Sequence, residues 1–281
     1  MPSGPPLLKV ASMKVLINEK LEVGDIVLTT TSSPISQAIR LATKGDISHA
    51  MLYVDTCSVV DATPEGVQAR NTQRILLEDD RAVHVLRLKE SLSTHDIIAV
   101  CDFVRARIGT RYSVSEALRA GTGGCDTWSR KQFCSRLVAQ AYASVGIHLV
   151  ADENFCSPND ILSSNLLHKV TDVTRSVNED DLRLGDVTDK TQLMRDATNK
   201  LLKRARGKNK TIEDINDILA HLQKTPSDDG FFHNALIESG YLTVWERDID
   251  ECFWRYDLAA LEAMRNGASD YLLKNNLARL V

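Results

Sequence analysis

The sequence predicts an α+β fold, in which a small antiparallel sheet is followed by a helix that begins at a cysteine and then by an α-helical C-terminal region. Three observations support this prediction. Short runs rich in β-branched residues alternate with turn residues over 21–90, as in a small sheet. The segment 132–142 places Cys134 at the start of an amphipathic helical pattern. Beyond about residue 176, the recurring patterns are helical.

The elements of the first part are predicted from apolar runs bounded by turn residues. Gly24 and Asp25 form a turn before a short buried strand, and Ser33 and Pro34 are typical of a helix start. The predicted strands cover 26–28, 47–54, 58–63, 67–71, 82–88 and 167–172. The predicted helices cover 34–43, 93–108, 134–144 and 158–162, with a short helix or turn over 111–119.

The domain organisation follows from a change in the sequence pattern near 176–190, beyond which the patterns are helical. We predict a flexible lead over 1–20 with a short strand or turn at 13–17, a catalytic domain over 21–176 and a helical C-terminal region of unknown role over 177–281. An acidic turn is expected at 178–181. The helical patterns of the last region cover 190–206, 212–222, 248–265 and 269–280.

Composition excludes several classes of protein. The chain has 38 acidic and 34 basic residues and a net charge of −4, which argues against nucleic-acid binding because such a protein needs a basic face. No two cysteines form a CxxC pair or have zinc-ligand spacing, so we expect reduced cysteines and neither a metal nor a cofactor. The six cysteines are Cys57, Cys101, Cys125, Cys134, Cys156 and Cys252.

The first residues lack a basic segment followed by an apolar run, and no stretch reaches 18 apolar residues. We therefore expect no membrane span, and either a cytoplasmic protein or a secreted effector without a classical signal peptide.

Cys134, His49 and Asp61 are the candidate catalytic residues. A thiol at a helix start lies at the positive end of the helix dipole, which favours the thiolate. The alternative for Cys134 is a small apolar core residue. His49 begins a predicted strand and Asp61 lies on its hairpin partner, where cross-strand neighbours approach to about 5 Å. Asp61 interrupts an apolar run, and a buried carboxylate there would need a partner. The alternative is that Asp61 lies on an exposed edge of the hairpin.

Other candidates are weaker. His84 lies on a predicted strand and competes with His49 for the role of base. Cys125 is interpreted as a bystander rather than a redox partner, and Trp128 either lines a groove beside Cys134 or packs on the sheet. The glycine-rich stretch 121–124 lacks the Lys-Ser/Thr of a phosphate-binding loop.

Five phrases of the sequence stand in a recognisable order: VGDIVL at 23–28, ISHAMLY at 47–53, VVDATPEGV at 59–67, FCSRLVAQAY at 133–142 and SPND at 157–160. Together they resemble the circularly permuted NlpC/P60 (papain-like) superfamily, and within it the YiiX/YebB-like cysteine hydrolases. The resemblance covers about 20–175 and implies a permuted papain-like fold with the sheet packed on the cysteine-bearing helix. It implies Cys134 as nucleophile and His49 as base. The third polar position falls on Asp61, where relatives often carry Glu or His.

The expected function is a cysteine hydrolase that uses a Cys-His-Asp triad and an acyl-thiolate intermediate. An amidase or peptidase is expected first, and a lipid or thioester hydrolase or acyltransferase on the same triad is the alternative. A non-catalytic binding module is a third interpretation. The substrate would be a peptide, an amide or an acyl lipid, and 177–281 would be free to bind a partner protein.

Overall fold

A computed structural model of the chain describes residues 13–119, 130–186, 189–251 and 257–259. The chain divides into two compact units, Met1–Thr188 and Asp189–Val281. The strands of the first unit are β1 (Met13–Leu16), β2 (Ile26–Thr29), β3 (His49–Asp55), β4 (Ser58–Thr63), β5 (Gly66–Asn71), β6 (Leu77–Glu78), β7 (Val83–Leu88), β8 (Leu167–Val170) and β9 (Thr174–Ser176).

These strands form two sheets. Six of them make an antiparallel sheet in the order β5-β4-β3-β2-β7-β8. The other three form a small antiparallel sheet in the order β6-β1-β9. In the large sheet, β2, β3 and β4 are almost entirely buried, so their sequences are nearly continuous apolar runs rather than alternating ones.

Three helices of the first unit begin at serine caps. Ser33, Ser93 and Ser157 each accept a hydrogen bond from a backbone N–H of the first turn, which satisfies a donor that has no partner within the helix. The helices are α1 (Pro34–Thr43), α2 (Thr94–Arg105), α3 (Val114–Arg119), α4 (Cys134–Ala143), α5 (Pro158–Leu162) and α6 (Glu179–Asp186).

The two faces of the large sheet are covered by different partners. Helix α4 packs against β3 and β4 on one face, with α2 beside it. The core there combines strand residues with α4 residues: Ile26, Leu28, Ala50, Leu52, Val60, Leu137, Val138 and Ala141. The opposite face packs against the small sheet and its flanking segments through Val27, Met51, Tyr53, Val59, Val85, Leu16 and Leu77. The sheet is therefore the middle layer of the first unit.

Gly66 fixes the position of the segment that precedes the cysteine helix. Its φ of 110° is in the left-handed region, and a Cβ on it would lie 2.8 Å from the carbonyl oxygen of Thr110. This close approach lets the Val67 N–H donate to Thr110 and the Gly109 N–H donate to Val67, both at 2.9 Å. The chain at 109–110 is thereby held to the start of β5.

The second unit is helical in the residues described. Its helices are α7 (Lys190–Lys208), α8 (Ile215–Lys224), α9 (Asp229–Ser239) and α10 (Val244–Glu251). Asp189 caps α7, and Asp214 with Asp217 forms a capping box on α8. Helices α9 and α10 pack against α7. The core consists of Leu201, Leu202, Ala205, Ile212, Ile218, Phe232 and Ala235.

The structure confirms the predicted α+β fold and differs from the prediction in several details. The small sheet was not predicted, but its strand β1 coincides with the short strand or turn predicted at 13–17 within the lead of 1–20, whose first twelve residues are outside the described ones. The predicted acidic turn at 178–181 instead opens α6, because the Asn178 side chain accepts from the N–H of Asp181 at 3.0 Å. Most of the predicted helix 248–265 and all of 269–280 lie outside the described residues. None of the described helices is long and apolar enough to cross a membrane.

Candidate active site

Cys134 is the first residue of α4, and its thiol is buried against the start of β3. The side chain is 3% exposed, and Sγ lies 3.9 Å from the carbonyl oxygen of Ser48 as a weak hydrogen bond. Phe133, the residue before the helix, has extended φ and ψ and makes no side-chain cap. The backbone N–H groups of Cys134 and Ser135 therefore begin the helix without an intrahelical acceptor.

An extended segment ahead of α4 sets the direction from which the helix starts. The Gln132 N–H donates to Arg111 and the Ser113 N–H donates to Gln132, each at 2.9 Å, so 111–113 runs beside the residues just before Cys134. Residues 109–110, which Gly66 and Val67 hold to the start of β5, directly precede this segment. The helix start is thus tied to the sheet by backbone hydrogen bonds.

His49 and Asp61 meet across the β3–β4 hairpin. The register pairs Asp61 with Met51, so His49 is a diagonal neighbour of Asp61 on the same face of the sheet. His49 Nε2 lies 2.8 Å from Asp61 Oδ2. Because Nε2 is used in this bond, Nδ1 is the ring nitrogen left for the thiol. The structure brings the three residues selected from the sequence together.

The charge on His49 depends on both neighbours. Burial lowers the pKa of His49, but the hydrogen bonds with Asp61 and with the Cys134 side chain raise it more, to about 10. About a fifth of the His49 side chain remains exposed, since the ring lies at the end of β3. A protonated imidazole held between a carboxylate and a thiol is the arrangement of a thiolate–imidazolium pair.

Asp61 is fully buried and stays ionised because two cations face it. Burial alone would raise the pKa of its carboxyl, but the hydrogen bonds and charges of His49 and Arg70 hold it below the ordinary value. Arg70 Nη1 lies 2.9 Å from Oδ2, the oxygen that also receives His49. Among the described residues, Oδ1 of Asp61 has no hydrogen-bond partner.

Two further residues of the site were missed in the sequence analysis. Arg70 lies on β5, the strand next to that of Asp61. The sequence did contain a signal for its position, because the short turn after Thr63 places residues 68–70 opposite 59–61. Tyr112 precedes Cys134 by a long stretch of sequence and carried none. Burial raises the pKa of Tyr112, and the negative charges of Cys134 and Asp61 raise it further, so its hydroxyl stays protonated near the thiol.

Asn159 of α5 holds the chain just before His49. Its Nδ2 donates to the Ile47 carbonyl at 3.1 Å and to Thr43 Oγ1 at 3.2 Å, and its Oδ1 accepts from the Ile47 N–H at 3.4 Å. Gly45 leaves the space for this side chain, because a Cβ there would lie 2.2 Å from the amide. The SPND phrase of the sequence thus supports the start of β3.

Arg136 anchors the first turn of α4. Its side chain is fully buried, with Nη1 2.5 Å from Glu116 of α3 and Nε 2.7 Å from the Asn154 carbonyl. The guanidinium also lies 4.3 Å from the centre of the Phe133 ring. The residue two positions after the thiol therefore fixes the helix to its surroundings.

The other histidines do not share this arrangement. His84 is partly buried on β7, and burial with the charge of Lys169 lowers its pKa. His95 and His148 are exposed beside Asp96 and Glu153. In the second unit, His221 lies 2.8 Å from Asp228, a pair that the sequence analysis missed. The predictions for Cys125, Trp128 and 121–124 fall outside the described residues.

Within 13–119, 130–186, 189–251 and 257–259, no group of three or more His, Cys, Asp or Glu side chains is placed to hold a metal ion.

Comparison with known proteins gives the family. Residues 20–169, more than half of the chain, match the model of the permuted papain-like amidases, the YaeF/YiiX C92 family. The chain therefore belongs to this family, which confirms the predicted permuted papain-like superfamily and α+β fold. At the level of class, it is a papain-like hydrolase.

A solved structure is similar as well. The crystal structure of the metalloprotein YiiX from Escherichia coli O157:H7 is 16% identical, with a TM-score of 0.38 over 54% of this chain and 97% of that chain. No curated protein matches the chain.

Proposed function

We propose that the chain is a cysteine amidase or peptidase that forms an acyl-thiolate on Cys134, with His49 as the base and Asp61 as the group that orients the ring. The observation that carries the proposal is the contact between Asp61 Oδ2 and His49 Nε2 at 2.8 Å, with the thiol on the other side of the same ring. The three residues lie within 21–176, which we propose is the catalytic domain.

At rest, the proton of the Cys134 thiol would already lie on Nδ1 of His49, so that the reaction starts from a thiolate–imidazolium pair. The thiolate then attacks the acyl carbon of the substrate, and the carbonyl electron pair moves to the oxygen. The N–H groups of Cys134 and Ser135 at the start of α4 are suited to stabilise that oxyanion, because they have no intrahelical acceptor.

The second half of the reaction would return the proton. His49 donates it to the leaving nitrogen as the bond from carbon to nitrogen breaks, which leaves the acyl group on Cys134 as a thioester. A water molecule gives a proton to His49 and attacks the thioester carbon, and collapse releases the acid and regenerates the thiol. Asp61 stays ionised throughout and holds Nε2 of the ring.

An amide is favoured over a lipid ester or thioester because the family is described as amidases. This choice concerns the leaving group alone, since all these substrates would pass through the same acyl-thiolate. Incubation with short peptides, muropeptides, acyl thioesters and phospholipids separates the classes, with intact-mass analysis of the Cys134 adduct as readout. An adduct that forms from phospholipid and from none of the amides would contradict an amidase.

The nucleophile itself is tested by alkylation with iodoacetamide near neutral pH. Cys134 is expected to react much faster than Cys101, because burial raises the pKa of Cys101 to about 11. His49→Ala should remove this difference and lower turnover by about 10²–10⁴-fold. Equal labelling of Cys134 and Cys101, unchanged by His49→Ala, would be incompatible with the proposal.

A further inference from the structure

Arg70 and His49 share one oxygen of a buried carboxylate. Nη1 of Arg70 is 2.9 Å and Nε2 of His49 is 2.8 Å from Oδ2 of Asp61. Asp61 has no exposed side-chain surface, whereas 36% of the Arg70 side chain is exposed. The arginine thus reaches from the rim of β5 to a carboxylate that water cannot solvate.

This geometry gives the two cations different tasks. Burying an ionised carboxylate costs free energy unless charged partners compensate it. If Asp61 became neutral, it would no longer favour a protonated imidazole. During the proposed reaction, His49 gains and loses a proton, so its own charge cannot keep Asp61 ionised at every step. Arg70 is always charged and supplies a constant positive charge at the same oxygen.

The titratable groups that face this carboxylate come from four segments. His49 comes from β3, Arg70 from β5, Tyr112 from the segment before α3 and Cys134 from the start of α4. Tyr112 stays protonated, so Arg70 is the permanent cation within this set.

We propose that Arg70 is a positioning residue of the catalytic site, which acts through Asp61 to keep the carboxylate ionised and the His49 ring oriented toward Cys134. The inference rests on the proposed function, because it assigns Arg70 a task in the activation of the same thiol. Its effect should therefore appear in the pH dependence of that thiol.

The test is the rate of iodoacetamide alkylation of Cys134 in the full chain as a function of pH. In Arg70→Gln, loss of a positive charge disfavours both the Asp61 carboxylate and the thiolate, so the midpoint of the profile should move upward by about 1 pH unit. Below both midpoints, the rate should then fall about tenfold. Arg70→Lys keeps the charge and should bring the midpoint back toward that of the unsubstituted protein.

Lys169→Gln provides a matched control. It removes one positive charge from the same sheet, but from exposed β8 at the edge opposite to β5. The midpoint in this variant should stay where it is in the unsubstituted chain. Equal shifts in Arg70→Gln and Lys169→Gln would mean that net charge rather than Arg70 is responsible, and the inference would fail.

The remaining outcomes also decide the question. An unshifted midpoint in folded Arg70→Gln overturns the inference about Arg70 while the proposed function stands, provided that Cys134 of the unsubstituted protein is selectively reactive. If Cys134 is unreactive in the unsubstituted protein, the proposed function fails first. If Arg70→Gln does not fold, Arg70→Met is measured in its place, and unfolding of both variants would show that Arg70 supports the fold instead.

Discussion

At the scale of single residues, the site depends on one carboxylate. Asp61 accepts hydrogen bonds from His49 and Arg70 without any contact with solvent. A buried anion with two cations attached has a low tendency to take up a proton, and the imidazole beside it has a high tendency to keep one. The protonation state of His49 is thus set by a residue that does not touch the substrate in the proposed reaction.

Asp61→Asn should lower the pKa of His49 from about 10 toward its ordinary range, because burial is then opposed by the Cys134 side chain alone. The change is measured by NMR titration of the ring, with the exposed His168 as an internal reference. A ring that still titrates near 10 in Asp61→Asn would exclude Asp61 as the cause.

The same shift predicts how stability depends on pH. The folded-state pKa of His49, about 10, lies above the unfolded value of 6.5, so its stabilisation is complete below pH 6.5 and is lost as the pH rises through 10. Chemical denaturation between pH 6.5 and 10 should show this decline in the unsubstituted chain. The decline should be smaller in His49→Gln than in the control His168→Gln, and equal slopes would contradict the assignment.

At the scale of elements, the site is assembled from short pieces that clamp one another. Asn159 of α5 holds Ile47, which directly precedes Ser48 and His49, and the Ser48 carbonyl in turn accepts from the thiol of α4. The capping box of Ser157 and Asp160 fixes α5 itself. The start of β3 is therefore held from the helix side as well as from β2 and β4.

Asn159→Ala should destabilise the first unit by about 1–3 kcal/mol, because the Ile47 carbonyl and N–H lose their partner near a buried site. It should also slow the alkylation of Cys134 by displacing Ser48 and His49. Asn165→Ala, an exposed asparagine shortly after α5, is the control and should change stability by no more than about 0.5 kcal/mol. Equal effects of the two substitutions would rule out the clamp.

Much of the architecture was predictable from the sequence because local signals were strong. The hairpin of β3 and β4 and the caps at Ser33 and Ser157 are encoded by neighbouring residues. The small sheet was missed because its strands are two to four residues long and are separated by up to about 160 residues. Helix α9 was missed because the polar residues 226–230 before its aromatic pair are typical of a loop.

The candidate site was predictable where its residues carry local signals. Cys134, His49 and Asp61 were selected because a thiol at a helix start, a histidine at a strand start and an acid in an apolar run are each recognisable locally. Tyr112 could not be found, because its approach depends on pairing between 111–113 and the residues before α4. Long-range backbone pairing leaves no pattern in a single sequence.

At the scale of the whole molecule, the hydrophobic clusters of the two units are composed of different residues. The first unit buries both faces of the large sheet, and the second buries Phe232 with the apolar face of α7. Among the described residues, none belongs to the clusters of both units. Each unit thus has a hydrophobic core of its own, which is the main requirement for independent folding.

Phe232→Ala should destabilise the second unit by about 3–5 kcal/mol and leave the alkylation rate of Cys134 unchanged. Leu137→Ala, on the buried face of α4, should reduce that rate and is the matched comparison. Hydrogen exchange measured by mass spectrometry locates the unfolding in each variant. Loss of Cys134 reactivity in Phe232→Ala would show that the units depend on each other.

The order of the site residues along the chain determines the order in which the site can assemble during synthesis. His49 and Asp61 are 12 residues apart, whereas Ser48 and Cys134 are 86 apart. Closing the longer loop costs about 2 kcal/mol more in chain entropy, so His49 and Asp61 can pair before the Cys134 thiol docks. On the ribosome, the hairpin emerges well before the cysteine. A growing chain would then hold the imidazole and carboxylate together before the thiol is present, and the hydrolysis proposed above would begin only after Cys134 has docked beside His49.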